Sequence, residues 1–424
     1  MIFAPIFAGL MALWPPISFL GALGYTPLLV LSAVFAAPFV RFSFSPRTYV
    51  VLVMAFVIWA NVTWAWSAAN TDPWITGHIL SDSFAIKAGG LRLLFLVTGA
   101  GILISAMLRI AQGRPRRAAG ALVIYFVLHG LIVFALPWTQ DVLIDYFYEG
   151  TFEDMRNAEM HILRNANGFA MALAVLVAWA WSKGHISSAV GAGMVVVALA
   201  SFVLLGSLSA VVAVFTMVLA IGIARLLPKR GFKVLFGAAG LMVLFTPAVL
   251  ANIANLIKML GLELPASTHA RAYAWHVVGE KILEKPLLGH GLEASSTWHE
   301  TYATRPEWLA DAGARGENMI AWGQYQIVPG HTHNMAMEIW SETGVIGAAL
   351  AAFALISLGW RLPSPQQMAT PLWVAAAGLF GTALPVFCFS YSAWNDAVWA
   401  GLILLSASAI LIAKAEPANR LPMQ

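Results

Sequence analysis

The stretch Pro329-Gly-His-Thr-His-Asn-Met-Ala-Met-Glu-Ile-Trp-Ser-Glu-Thr-Gly-Val-Ile-Gly347 gathers two imidazoles, an amide and two carboxylates on one short segment. Imidazole changes charge near neutral pH, so it can take a proton from a hydroxyl as that hydroxyl attacks. After the Pro329-Gly330 turn, Thr332 or His333 can cap a helix. A histidine there meets the positive end of the helix dipole, which keeps the ring neutral and ready to accept a proton. The same end attracts phosphates. His333 is therefore the candidate general base, with His331 and Asn334 beside it. Asn334, Glu338, Glu342 and Val345 follow at spacings of four and three, which puts a polar stripe on one helix face. Glu338 and Glu342 either line a cavity or satisfy the dipole and a neighbouring helix. A metal held by His331 and His333 would need further ligands, and no cysteine set or compact His-Glu-His group supplies them, so neither a metal nor a cofactor is expected.

Arginines are the second chemical feature. Arg271, and Arg164 at the start of Arg164-Asn-Ala-Asn-Gly168, offer planar forks of donors that match phosphate oxygens, and two of them around a cleft could hold a pyrophosphate without metal. The alternative is an interfacial arginine that snorkels or pairs with a carboxylate. Arg92, Arg156, Arg305 and Arg315 share their sidedness with less context. Trp275, Trp298, Tyr302, Trp308, Trp322 and Tyr325 could stack on sugars, but an interfacial belt accounts for most of them.

The elements that must position these groups are membrane helices. Of 424 residues, 60% are hydrophobic and 10% charged, and the mean hydropathy is +0.78, outside the range of soluble domains. Apolar runs of about 17 to 23 residues match a hydrocarbon core of about 30 Å, and they lack the alternation of outer-membrane strands. The expected fold is all-α and polytopic, with about twelve spans near 2–22, 25–41, 48–66, 91–108, 118–138, 165–182, 186–204, 209–225, 233–252, 334–359, 368–389 and 396–413. The first run starts at Ile2 without a basic flank or cleavage site and reads as a retained span. Cys388, the single cysteine, excludes an internal disulfide.

Charge sets the orientation. With the N-terminus cytoplasmic, the short inner loops collect most of the 24 lysines and arginines, including Arg109, Arg114, Arg116, Arg117 and Lys414, and of the 20 acidic residues only Glu416. Both termini are then cytoplasmic, and the histidine segment faces the other side. The chain divides into nine spans (1–252), an outer loop (253–333), and three spans with a cytoplasmic tail (334–424). Within the loop, Arg271 to Glu284 has helical spacing and is stopped by Lys285-Pro286. The net charge of +4 belongs to this topology, and the lipid bilayer, not nucleic acid, is the expected partner.

These residues resemble the O-antigen ligase and polymerase superfamily of bacterial membrane glycosyltransferases. The ligase pattern is His followed by Asn, Ser or Gln, nine residues, Gly, two residues, then Gly, Thr or Tyr. Here it reads His333-Asn334, nine residues to Thr343, then Gly344-Val-Ile-Gly347. A second family-like segment is Arg271-Ala-Tyr-Ala-Trp275 with Lys285-Pro-Leu-Leu-Gly289-His-Gly291. One departure is Ser209, followed by Ala210 where members often carry Ser-Arg; Arg164 is the candidate to supply that charge.

The resemblance implies a GT-C-like fold at the outer, periplasmic face of the inner membrane, with a large loop between spans nine and ten. It also implies metal-independent, inverting transfer of a glycan from undecaprenyl pyrophosphate to a sugar hydroxyl of lipid A core. His333 would be the base, Arg271 and Arg164 would hold the pyrophosphate, His331 would stand beside them, and Asn334 and Glu338 would orient base or acceptor. Two rival readings are a polymerase using the same donor and a secondary transporter with Glu338, Glu342 and Asp396 as an ion relay. The transporter predicts paired repeats with broken helices, which the sequence lacks.

Overall fold

The computed structural model describes residues 2–18, 24–40, 47–71, 75–76, 85–86, 88–147, 152–262, 266–311 and 323–416; Arg315, Trp322 and the side chain of Arg156 lie outside the described atoms. The fold is an all-α polytopic membrane protein. Its helices are α1 (Phe3–Met11), α2 (Trp14–Ser18), α3 (Tyr25–Ala36), α4 (Thr48–Thr63), α5 (Gly89–Leu108), α6 (Arg116–Phe147), α7 (Phe152–Ser182), α8 (His185–Leu204), α9 (Leu208–Leu226), α10 (Gly231–Leu250), α11 (Ile253–Met259), α12 (Ala266–Glu284), α13 (Pro306–Asp311), α14 (Met335–Arg361), α15 (Thr370–Phe389) and α16 (Asp396–Ala415). One two-residue antiparallel pair joins Ile75–Thr76 to Ala85–Ile86.

Among the described residues, eight helices are long and apolar enough to cross a membrane, and Tyr25–Phe39 and Ser188–Leu204 are shorter apolar helices. Two of the twelve expected spans take a different form. The run near 2–22 breaks into α1 and α2, because Pro15 and Pro16 supply no N–H to continue the first helix. The run near 165–182 is the second part of the longer α7, whose start carries polar asparagines.

Small residues allow the central helices to approach closely. Ala210, Ala213, Ala220 and Ala224 of α9 are buried where α15 packs against it. A Cβ at Gly381 would lie 2.4 Å from the Thr216 carbonyl oxygen. Large side chains such as Phe215 and Phe245 instead point outward, as a lipid-facing surface requires.

The segment between α10 and α14 has its own apolar core. Tyr273, Trp275, Val278, Tyr302, Leu309, Ile327 and Val328 are buried together with Met337 of α14, and the Tyr273 and Trp308 rings stack at 4.6 Å. Trp275, Tyr302 and Trp308 therefore hold the loop together, where the sequence suggests an interfacial belt.

Sequence reading expects an unbroken helix from His333 through Gly347. The structure corrects this. Gly344 stands at φ 65°, ψ −171° and divides α14 in two. The groups released by the break are taken up by the loop after α12. His290 N–H donates to the Ser341 carbonyl (2.8 Å), Gly291 N–H to Glu342 (2.9 Å), and Val345 N–H to Pro286 (2.9 Å), while Trp59 Nε1 donates to the Thr343 carbonyl (2.8 Å). The two backbones touch so closely that a Cβ on Gly344 would lie 2.2 Å from the Leu287 carbonyl oxygen, and one on Gly289 2.4 Å from the Glu342 carbonyl. Both positions have positive φ, so glycine is needed twice over. Irregular backbone inside a membrane-crossing helix is tolerable only when other protein groups satisfy it in this way.

Candidate active site

The helix that follows the histidines starts one residue later than His333, and two later than Thr332, would place it. Asn334 is the N-cap, with extended backbone and Oδ1 accepting from the N–H groups of Ala336 (3.0 Å) and Met337 (3.1 Å). His333 precedes the cap and sits at φ 53°, one of two non-glycine residues with positive φ among those described. That conformation is uncommon for a histidine, and such strain concentrates at functional sites. Local bonds hold it. His333 N–H donates to His331 Nδ1 (3.1 Å), the Thr332 hydroxyl donates to the Asn334 carbonyl (2.8 Å), and the two imidazole rings lie 4.1 Å apart. Because His331 Nδ1 accepts a backbone N–H, its neutral ring carries the proton on Nε2.

Two arginines converge here from different elements. Trp275 of α12 donates its Nε1–H to the Thr332 carbonyl (3.0 Å) and fixes α12 to the histidine segment. Arg271, one turn earlier, lies on the same helical face. Its Nη1 donates to Ser267 O (3.1 Å), but its Nε is buried without a partner. Arg164 of α7 lies over the Tyr391 ring at 5.8 Å, in the connection between α15 and α16. One turn along α7, Asn167 Oδ1 accepts from Ser209 Oγ (2.9 Å), so Arg164 stands near the residue that departs from the Ser-Arg pattern. Asn165 faces inward to His129 Nε2 (3.0 Å), whose Nδ1 accepts from Trp14 Nε1 (3.0 Å).

The electrostatics follow from this convergence. Burial first, then His331, Arg271 and Arg164, push the His333 pKa down to about 3, and burial followed by Arg164 and Arg271 pushes His331 down to about 4. Both rings are neutral bases at physiological pH. Burial, not the helix dipole, is the main cause. It also lowers the Arg271 pKa. His333 Nδ1 is buried without a hydrogen-bond partner. A buried polar atom left unpaired costs free energy, so His333 Nδ1 and Arg271 Nε are positioned to meet a group that completes the site.

Glu338 and Glu342 have a different character. Glu338 is 1% exposed and Glu342 is fully buried. Glu338 accepts from Ser392 Oγ (2.8 Å) and Ala393 N–H (2.6 Å). Glu342 accepts from the N–H groups of Glu293 (2.6 Å) and Ser295 (3.1 Å) and from Trp394 Nε1 (2.5 Å). The stripe thus ties α14 to the loop after α12 and to the α15–α16 connection. Close by, Arg92 bonds Glu293 and stands 4.0 Å from Asp396. Sequence reading leaves out Tyr391, Ser392 and Trp394 entirely; the polar break Ser390-Tyr-Ser392 between two apolar runs is the signal that marks them. Among the described residues no group of three or more histidine, cysteine or acidic side chains is arranged to hold a metal ion.

Residues 192–352 match the family model described as O-antigen ligase, a stretch that contains Arg271, His331, His333, Asn334, Glu338 and the α14 break; Arg164 precedes it. Proteins of Rickettsia typhi and Rickettsia prowazekii, each provisionally named a polysaccharide ligase, are 32% identical over 130 residues, which is 30% of this chain and 29% of theirs. A Rickettsia conorii protein with the same kind of name is 35% identical over 88 residues, 20% of this chain and 18% of its own. The matched stretches thus span less than a third of these relatives. No solved structure matches the chain.

Proposed function

From the match of residues 192–352 to the O-antigen ligase family model, we propose that the protein transfers a glycan from undecaprenyl pyrophosphate to a sugar hydroxyl of lipid A core, at the periplasmic face of the bacterial inner membrane. The observation that carries the reading is the uncommitted Nδ1 of a neutral, strained His333 with Arg271 and Arg164 about it. His333 takes the acceptor hydroxyl proton. The acceptor oxygen forms its bond to the anomeric carbon from the face opposite the leaving group, the carbon–phosphate oxygen bond breaks, and configuration inverts. Undecaprenyl pyrophosphate leaves with its negative charge held by Arg271 and Arg164. No metal is needed, because two guanidinium groups supply the charge. Asn334 and Glu338 position the base, Asn334 by capping its helix and Glu338 by fixing α14 to the α15–α16 connection.

The test incubates purified, chelator-treated protein with a lipid-linked glycan and two acceptors, lipid A core and free glycan repeat units. Product on lipid A core without an ion gradient is expected. Product on the repeat units alone would assign a polymerase, and absence of turnover with both would overturn the reading.

A further inference from the structure

Arg92 and Arg164 are anchored by different chemistry. Arg92 is paired with the Glu293 carboxylate, which takes up N–H donors that an incoming anion would need. Arg164 stands over the Tyr391 ring, 5.8 Å from its centroid. An aromatic ring attracts the face of a guanidinium through its quadrupole and uses none of the in-plane N–H fork. Such an anchor fixes the charge and leaves the fork to phosphate oxygens.

Tyr391 is itself held in place. It is 4% exposed, and its hydroxyl is hydrogen-bonded to the side chain of Asn167, whose Oδ1 accepts from Ser209 Oγ (2.9 Å). Asn167 lies three residues after Arg164 on α7, so the two are neighbours on one helix face. The rotation of α7 is fixed from another face. Trp14 Nε1 can only donate, so His129 Nδ1 accepts from it (3.0 Å), and His129 Nε2–H donates to Asn165 Oδ1 (3.0 Å). Turning α7 about its axis would break this buried pair and leave its polar atoms without partners, which is costly in an apolar interior. An aromatic beside an arginine is often packing alone. What sets Tyr391 apart is that the next residue, Ser392, bonds Glu338 of α14 (2.8 Å), so one short connection meets both the arginine and the helix that His333 precedes.

We propose that Tyr391 is a positioning residue for the donor: its ring holds the Arg164 guanidinium with the N–H fork open to the leaving pyrophosphate, and Asn167 and Ser209 keep the ring in place. This role rests on Arg164 holding the pyrophosphate, as proposed above.

The experiment measures kcat/KM for the lipid-linked donor and KM for lipid A core with the full-length protein. Arg164→Gln is expected to lower donor kcat/KM by about tenfold or more. Tyr391→Leu is expected to lower it by about tenfold, the scale of a desolvated cation–ring contact, with acceptor KM within about threefold of wild type. Tyr391→Phe keeps the ring and is expected to stay near wild type. In the Arg164→Gln background Tyr391→Leu should cost nothing further, because the ring then has no cation to hold. Tyr391→pentafluorophenylalanine keeps an aromatic volume but removes the negative face of the ring, so it should match Tyr391→Leu even where leucine disturbs packing. Wild-type donor use by Tyr391→Leu overturns the role of Tyr391. So does a Tyr391→Leu effect that persists in full beside Arg164→Gln, or a pentafluorophenylalanine protein equal to Tyr391→Phe. Wild-type donor use by Arg164→Gln instead removes Arg164 from the pyrophosphate site, and the role of Tyr391 falls with it.

Discussion

His333 and Glu342 lie nine residues apart on one segment, and their polar atoms are treated in opposite ways. Glu342 is fully buried and accepts from three donors on two other elements. His333 adopts a left-handed backbone and holds a buried ring nitrogen with no partner. A protein that completes the bonding of one buried group and leaves the next incomplete separates scaffold from site. Satisfied groups fix geometry, and unsatisfied ones wait for a ligand. The two regions should therefore fail differently when altered.

The largest effect is expected at the unsatisfied end. His333→Ala should lower transfer by about 10³-fold or more, within or above the range for a general base, while expression and unfolding midpoint stay near wild type. A variant that retains transfer removes His333 from the mechanism. At the satisfied end the order of loss reverses. Glu342→Ala leaves three donors unpaired in the interior and should cost at least about 3 kcal/mol of stability, visible as poor expression or a lowered midpoint before any assay of transfer. A stable Glu342→Ala protein with a specific transfer defect would erase the contrast.

Arg271→Lys sharpens the comparison, because lysine keeps the charge but lacks the fork. It should weaken donor use by about 10- to 100-fold, the cost of one or two lost charge-assisted bonds, with the midpoint unchanged. The smallest effect is on pH dependence. With folded pKa values near 3 for His333 and near 4 for His331, both rings stay unprotonated well below the usual imidazole range, so kcat/KM should be nearly flat from pH 7.5 to about 5. A histidine limb near pH 6.5 would show that His333 is hydrated and ordinary. Stability has the opposite sensitivity. The unfolded chain takes up protons below about pH 6.5 that the folded rings refuse, so these histidines contribute a loss of stability as pH falls from there toward 4 and 3. That loss should be smaller in His333→Ala.

Local features of this arrangement are legible in the sequence. The lengths of apolar runs mark the spans, Lys285-Pro286 marks the end of α12, and Arg271 and Arg164 stand out because the charge pattern assigns them to the side that basic residues avoid. Contacts across the chain are not legible. Glu338 meets Ser392 and Ala393 more than fifty residues away, and helical periodicity carries no information about what faces such a stripe. The cap is misplaced by a residue or two for a local reason. Thr332, His333 and Asn334 can all begin a helix, and it is Asn334 whose side chain accepts the Ala336 and Met337 N–H groups, while the Thr332 hydroxyl is taken by the Asn334 carbonyl. Gly344 reads as a tolerated glycine inside a helix because its φ of 65° is set by a loop more than fifty residues upstream.

That joint also bears on how the chain enters the membrane. Residues 286–291 leave the ribosome before α14 does, so the loop must wait with its donors open until residues 341–345 arrive. The first half of α14, with its two acidic side chains and open carbonyls, is poorly suited to partition into hydrocarbon alone. The break in α14 is then closed only when residues 341–345 meet this loop, and the order of synthesis becomes part of the order of assembly.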